Sequence, residues 1–403
     1  TLVEQYPDVN QNELIKKVLL AEIIKFKETL DIGLEILDKN IKKIISSGHE
    51  KEISGELLFL LYDTYGFPVD LTSTIAKENS FSVDLNSFNS LMKQQKIKSK
   101  KSKKFDSEAG INLVNKYITK FTGYSEYKNS ANILDIYVEG KRSEKINENE
   151  EGFIVINTCP FYAEAGGQIG DSGIIFSEKG KFEVTDTQKH GETYLLFGAQ
   201  TEGVLKLNDQ VSAQINVIKR ENIKINHSAT HLLHSALIKN IGENVQQKGS
   251  LVSDQKLRFD FSCEKPIKRN ILDKIEDEVN YNIEKKIPSK TRIMNKDDAI
   301  ADGAMALFGE KYDDEVRVLS FGKISTELCG GTHVNNTGDI GVFKILSESS
   351  ISSGIRRIEA ITGMSANNYL KKRDALVSKI CHVLNVQDED LKDKIDGMLS
   401  DNK

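Results

Sequence analysis

The first third of the chain is dominated by apolar residues that lie three and four positions apart. Between Asn12 and about Ser46 these residues are Ile23, Phe26, Leu30, Leu34, Leu37, Ile41 and Ile44. This spacing over such a length predicts one long amphipathic helix, because it places the apolar side chains on a single face. Shorter helices are predicted over 57–62, from about Asp70, and after Asp84 as a capping residue. Residues 1–121 are therefore predicted to form a helical region.

After about Phe121 the helical spacing gives way to short apolar runs at 133–138, 153–156 and 194–197. Residues 210–217 alternate between polar and apolar side chains, which is typical of a half-buried strand. Several short strands with Gly and Asn between them predict a small β-barrel over residues 122–220.

Helical and strand patterns are mixed from residue 221 to residue 364. A helix containing His227 precedes a strand at 257–261, a helix at 271–283 and further strands around Ile293 and Val316. This mixture predicts an α+β domain. Helical spacing returns over residues 365–403, which we interpret as the start of a further domain. The predicted fold class is thus multidomain: an α-helical N-terminal region, a small β-barrel, an α+β domain and a C-terminal helical tail.

Composition places the chain among soluble globular proteins. Its 403 residues allow two to three domains, with 29% charged and 38% hydrophobic residues. No apolar run is long enough to cross a bilayer and no signal peptide opens the sequence. The four cysteines lack C-x-x-C pairing, which predicts a reducing, cytoplasmic location. Because position 1 is Thr and not Met, we expect a piece of a longer polypeptide.

The formal net charge of −5 requires any nucleic-acid contact to come from a local basic patch. Residues 93–104 contain seven lysines, and no Asp or Glu lies between Leu85 and Phe105. Such a run is either a solvated helix end or a phosphate-binding surface. The lysines that share one side of a helix, here called the lysine face, are Lys93, Lys96, Lys100, Lys103 and Lys104. Lys98 and Lys101 lie off that face.

Two pairs of potential metal ligands repeat the same four-residue step. His227 and His231 would lie one helical turn apart, and Cys329 and His333 flank a glycine-bearing turn. Three imidazoles and a thiolate form a donor set that suits Zn²⁺, so one zinc ion per chain is predicted. A zinc peptidase is excluded because Ser228 stands where that motif needs a Glu base.

The two ligand pairs belong to longer stretches, HSATHLLHSAL and ELCGGTHV, which resemble the editing domain of the alanyl-tRNA synthetase family. Other stretches resemble the same family in the same order, and they are LYDTYGFPVDLT, FYAEAGGQIGDSG, GAMALFGEKY and SGIRRIEAITG. The freestanding alanyl editing proteins and the threonyl-tRNA synthetase editing domain share the metal motifs. They are not expected to contain LYDTYGFPVDLT or the helical region before it.

The resemblance implies an enzyme that hydrolyses tRNA(Ala) mischarged with Ser or Gly in a zinc-dependent site. It also implies that the helical region recognises tRNA and that an ATP-dependent aminoacylation half precedes Thr1. Thr230 and Gln247 match family positions implicated in editing, so the resemblance makes them substrate-contacting residues. The family pattern has a His where this chain has Cys263.

The sequence is compatible with several alternatives. Four protein ligands are typical of structural zinc, whereas catalytic zinc keeps one position open. The zinc could therefore activate water or only position the substrate. Thr230 could simply bond the carbonyl four residues earlier, and His234 is interpreted as a supporting or packing residue. A freestanding trans-editing deacylase and a non-catalytic zinc-stabilised RNA-binding module are the alternative functions. The oligomeric state is not predicted.

Overall fold

The computed structural model describes residues 13–47, 51–100, 117–306, 313–352 and 354–401. The chain divides into two compact units, Thr1–Asp106 and Ser107–Lys403. Each unit is described by itself. Among the described residues, no helix combines the length and apolar content that a membrane crossing requires.

The described part of the first unit is helical, as predicted. Its elements are α1 (Glu13–Ser47), β1 (Glu52–Ile53), α2 (Gly55–Asp63), α3 (Val69–Glu78), β2 (Ser82–Val83) and α4 (Leu85–Lys100). The predicted cap at Asp84 is present, because its carboxylate accepts a hydrogen bond from the backbone N–H of Ser87 at 2.9 Å. The apolar face of α1 is buried only in part: Leu37 and Ile41 lie in the core, whereas Ile23 is 62% exposed.

The second unit begins with a closed barrel. Its strands, with the short pairings beside it, are β3 (Lys120–Phe121), β4 (Lys128–Val138), β5 (Lys141–Ser143), β6 (Lys145–Ile146), β7 (Glu151–Ile156), β8 (Thr158–Cys159), β9 (Gly173–Ser177), β10 (Gly180–His190), β11 (Thr193–Gly203), β12 (Leu205–Lys206) and β13 (Gln210–Ile215). The ring runs β13-β9-β10-β11-β7-β4, and β4 pairs back onto β13. Val211, Ala213 and Ile215 are buried, as their alternation predicts. The prediction of a small barrel is confirmed.

An α+β layer structure follows the barrel. Its elements are α5 (Val217–Ile241), β14 (Gln247–Val252), β15 (Leu257–Ser262), α6 (Arg269–Glu284), β16 (Ser289–Asn295), α7 (Lys296–Ala301), β17 (Glu315–Phe321), β18 (Ser325–Leu328), β19 (Phe343–Ser352) and β20 (Ile355–Thr362). An antiparallel sheet has the order β14-β15-β20-β19, and a smaller one has the order β16-β17-β18. Apolar residues of α5 and α6 pack with Phe259 and Phe261 in one core. The helices α8 (Gly363–Leu384) and α9 (Leu391–Asp401) end the described chain.

A buried ion pair joins α5 to the barrel. Arg220 is 1% exposed, forms an ion pair with the carboxylate of Asp171, and donates to the carbonyls of Gly123 and Pro160 at 2.6 and 3.1 Å. Asp171 ends the glycine-rich segment 166–171, here called the barrel loop. This loop also adds to the edge of β14, since Val252 donates to the carbonyl of Gly167 at 2.7 Å. The barrel loop therefore has a fixed position beside the helix that begins the α+β domain.

Candidate metal centre

The structure brings the four predicted metal ligands together. His227 and His231 lie one turn apart on α5, with their rings stacked at a centroid distance of 5.3 Å. Cys329 and His333 lie in the loop that follows β18. One ligand atom from each of the four residues lies within 4.8 Å of the others. Two local pairs, distant in sequence, thus form one cluster.

Two of the distances between donor atoms match those expected around a tetrahedral zinc ion. The Cys329 sulfur lies 3.6 Å from Nε2 of His227 and 3.2 Å from Nε2 of His333. Zinc–sulfur and zinc–nitrogen bonds of about 2.3 and 2.0 Å place such atoms roughly 3.5 Å apart in a tetrahedron. Nε2 of His231 is buried and has no hydrogen-bond partner among the described residues. A buried nitrogen without a partner is expected where a metal ion supplies the missing bond.

Each imidazole is held through its other nitrogen. Nδ1 of His227 lies 2.8 Å from the side-chain oxygen of Gln168. Nδ1 of His231 lies 3.0 Å from the carboxylate of Glu327, and Nδ1 of His333 lies 3.2 Å from the hydroxyl of Ser228. Outer partners of this kind orient metal-binding histidines and fix which nitrogen faces the metal. In this cluster they leave all three Nε2 atoms pointing inward.

Charge balance also favours a divalent cation. Burial opposes ionisation of the Cys329 thiol, but the neighbouring imidazoles, His227 foremost, hold its pKa well below the usual value. Burial likewise opposes the charge on Glu327, yet His231 lowers its pKa well below the usual value. Burial opposes protonation of His231, but Glu327 and Cys329 raise its pKa to about 10. Burial lowers the pKa of His333 to about 3. The Cys329 thiolate and the Glu327 carboxylate carry one negative charge each. A proton on His231 balances one of these charges, whereas Zn²⁺ balances both.

The loop that supplies Cys329 is fixed by its backbone. The Arg317 guanidinium donates to the carbonyls of Cys329 and Gly331, at 2.9 Å each, and lies over the ring of Tyr124 at 4.5 Å. The Tyr124 hydroxyl donates to the carbonyl of Gly330 at 2.6 Å. A side chain at Gly331 would overlap the His227 ring, so glycine is required for this close approach.

The residues that hold the imidazoles were missed by reasoning from the sequence. In the sequence, Ser228 is notable only because it is not a Glu, and no local pattern identifies Glu327 or Gln168 as part of the site. Glu327 lies two residues before Cys329 and Gln168 lies in the barrel loop, but neither position marks its residue as a partner of an imidazole. The sequence spacing of these contacts, 59 residues between Gln168 and His227, gives no local pattern to detect.

Of the two residues predicted to contact substrate, one lies on α5 and the other on β14. Thr230 is buried on α5, and its hydroxyl donates to the carbonyl of Asn226 at 2.9 Å. This is the local bond that the sequence left open, and the hydroxyl oxygen can still accept another bond. Gln247 is half-buried and begins β14. Their role in contacting substrate stays a prediction.

Two further residues lie outside the ligand set. His234 is 2% exposed, and its Nδ1 lies 3.7 Å from the Glu327 carboxylate, which agrees with a supporting or packing position. The Cys263 thiol bonds the carbonyl of Lys265 at 3.3 Å and is not among the four clustered residues.

The lysine face is only partly described. Lys93 is exposed in the middle of α4. Lys96 and Lys100 lie on the same helix, but their side chains fall outside the described residues, as do Lys103 and Lys104 entirely. Phosphate contact by the lysine face stays a prediction.

Comparison with known proteins identifies the family. The family model for class II (A) tRNA synthetases matches residues 1–219, more than half of the chain. The model for the threonyl and alanyl tRNA synthetase second additional domain matches residues 316–359, which include Cys329 and His333. These two matches cover the helical region, the barrel and the loop that holds one ligand pair.

Curated relatives agree with the family models. The alanine–tRNA ligase of Idiomarina loihiensis is 43% identical over 393 residues, covering 97% of this chain and 45% of the relative. That of Saccharophagus degradans is 42% identical over 402 residues, covering 99% of this chain and 46% of the relative. The chain thus spans about half the length of the curated relatives it matches. On these matches and on its motifs, the chain belongs to the alanyl-tRNA synthetase family.

Proposed function

We propose that this chain contains the editing site of an alanine–tRNA ligase and hydrolyses Ser-tRNA(Ala) and Gly-tRNA(Ala). The observation that carries the proposal is the cluster of three buried imidazoles, His227, His231 and His333, with the half-buried Cys329, in which every imidazole has an outer partner. A cluster with donors already aimed at a common point is built to hold a metal ion. The family match supports tRNA(Ala) as the partner.

The four clustered residues would hold one Zn²⁺ per chain. When bound, zinc supplies Lewis acidity toward an ester carbonyl or a water molecule. The protein supplies orientation: Gln168, Glu327 and Ser228 fix the three rings, and Arg317 fixes the loop of Cys329.

Specificity for the mischarged product follows from the serine hydroxyl. A site that hydrogen-bonds this hydroxyl leaves its own polar groups unpaired when alanine is bound instead. Thr230 and Gln247 are proposed for this contact, since both lie on elements adjoining the metal cluster and neither is a ligand. Correctly charged Ala-tRNA(Ala) is then spared.

The alternative of a non-catalytic, zinc-stabilised RNA-binding module is favoured by one observation. All four donors come from the protein, as they do in structural zinc sites. The two functions differ in a single outcome: a module binds tRNA(Ala) but leaves the ester of Ser-tRNA(Ala) intact. A freestanding deacylase is less well supported, because the synthetase family model includes the helical region.

Hydrolysis of Ser-tRNA(Ala) and of Ala-tRNA(Ala), measured side by side, tests the proposal. The protein is expected to release serine and not alanine, and Cys329→Ala should abolish release together with bound zinc. Cys263→Ala is the matched control, because it removes a half-buried thiol that is not a ligand. Wild-type protein that binds zinc and tRNA(Ala) yet releases no serine would contradict the proposal and favour the module.

A further inference from the structure

Gln168 connects the barrel directly to one of the clustered imidazoles. It is completely buried, it belongs to the barrel loop, and its side chain contacts His227 and Thr332. We propose that Gln168 is a positioning residue that fixes the ring tautomer of His227, so that the barrel forms part of the metal centre. This inference rests on the proposed function only in assuming that the cluster binds zinc.

The orientation of the Gln168 amide follows from its contact with a backbone N–H, a group that cannot accept a hydrogen bond. The backbone N–H of Thr332 can only donate, and it lies 2.9 Å from Oε1 of Gln168. The amide oxygen therefore faces Thr332, and the amide nitrogen lies 3.0 Å from the Thr332 hydroxyl, to which it donates. The usual ambiguity of an amide flip is removed by this contact.

The tautomer of His227 follows from the amide orientation. Nδ1 of His227 lies 2.8 Å from the same Oε1, which can only accept. Nδ1 must therefore carry the ring proton of a neutral imidazole, and Nε2 must present its lone pair. Nε2 is the atom that lies 3.6 Å from the Cys329 sulfur, inside the cluster. Gln168 thus directs the metal-binding nitrogen of His227 toward the metal position.

The barrel loop holds Gln168 in place. Its neighbours on both sides pair with β14: Val252 donates to the carbonyl of Gly167 at 2.7 Å, and Ile169 donates to the carbonyl of Val252 at 3.1 Å. Gly167 has φ +80° and lies against Ser250, so a side chain there would be both strained and crowded. The backbone on which Gln168 stands is therefore fixed by the docking of the loop.

Removing the acceptor should weaken zinc binding. Gln168→Met keeps the approximate side-chain volume but leaves the N–H of Thr332 and Nδ1 of His227 without this acceptor. The His227 proton can then lie on either ring nitrogen. Loss of such outer partners typically lowers metal affinity about 10–100-fold. Gln168→Glu retains an acceptor for both donors, so its affinity should stay within about tenfold of wild type.

Zinc affinity measured by competition with a chromogenic chelator provides the test, and the visible spectrum of the Co²⁺-loaded protein reports the ligand geometry. Gln200→Met is the matched control, because Gln200 is a buried barrel amide that bonds the carbonyl of Glu202 and does not touch the cluster. We expect a 10–100-fold loss and an altered Co²⁺ spectrum for Gln168→Met. Gln200→Met should change neither the zinc affinity nor the Co²⁺ spectrum. Gln168→Glu should keep both close to those of the wild type.

Equal affinities and spectra for Gln168→Met and wild type would overturn the inference, while zinc-free wild type would overturn the metal assignment itself. If Gln168→Met does not fold, the tautomer of His227 in the wild-type protein provides the test. Long-range ¹H–¹⁵N correlation of the zinc-loaded protein is expected to show the His227 ring protonated at Nδ1. A ring protonated at Nε2 would contradict the proposal.

Discussion

Replacing Arg220 by Met is expected to destabilise the second unit strongly. The guanidinium is 1% exposed and its partner Asp171 is 2% exposed, so the substitution leaves a carboxylate buried without a cation. Breaking a buried pair from one side costs about 3–5 kcal/mol. The carbonyls of Gly123 and Pro160 also lose their donor, so a value at the upper end is expected.

Urea denaturation followed by circular dichroism measures this loss, since the chain has no Trp for fluorescence. At a slope of about 3 kcal/mol per M, the midpoint should fall by more than about 1 M. Lys239→Met is the control on the same helix, because Lys239 pairs with Glu278 at 2.7 Å but is 68% exposed. An exposed pair of this kind contributes at most about 1 kcal/mol.

A second substitution separates the charge from the packing. Arg220→Met combined with Asp171→Asn removes the uncompensated charge but keeps an acceptor for the Tyr162 N–H, now at 2.8 Å from the Asp171 carboxylate. The double variant should therefore be more stable than Arg220→Met alone. Equal midpoints for Arg220→Met and Lys239→Met, or a double variant less stable than the single one, would refute the reasoning.

Three further expectations concern the loop glycine, the substrate pair and the lysine face. Gly331→Ala should lower zinc affinity in chelator competition by about tenfold or more, because the added carbon overlaps the His227 ring; unchanged affinity would show that the ring can move freely. Thr230→Val or Gln247→Ala should slow Ser-tRNA(Ala) hydrolysis with zinc content intact, and loss of metal would instead indicate a structural role. Replacing three residues of the lysine face by Gln should reduce the salt slope of tRNA affinity by about two to three units. Replacing Lys98 and Lys101, which lie off that face, should change the salt slope little.

The four residues of the cluster could be predicted because each pair is local. His227 and His231 share a helix face, and Cys329 and His333 share a short loop, so a four-residue step places two donors side by side. The two pairs are 102 residues apart in the sequence. Their joining into one cluster was predicted from the chemistry of the donor set and from the family resemblance. The barrel was predictable for a similar reason, because the alternation in β13 is a local pattern that tertiary structure preserves.

The partners of these residues could not be predicted. Gln168 reaches His227 only because the barrel loop docks on β14, and a docking of that kind has no signature in sequence spacing. The same limit applies to α1: the period identified its apolar face, but Ile23 and Phe26 on that face are more than half exposed. Periodicity specifies which side of a helix is apolar and not what covers it.

Hydrolysis of Ser-tRNA(Ala) before and after metal removal tests the central claim most directly. The protein is treated with a chelator until elemental analysis shows no zinc, assayed, and assayed again after one equivalent of Zn²⁺ is returned. Serine release should fall to the uncatalysed rate without metal and recover at one zinc per chain, with Ala-tRNA(Ala) spared throughout. Metal-free, folded protein that still releases serine at the original rate would contradict the account.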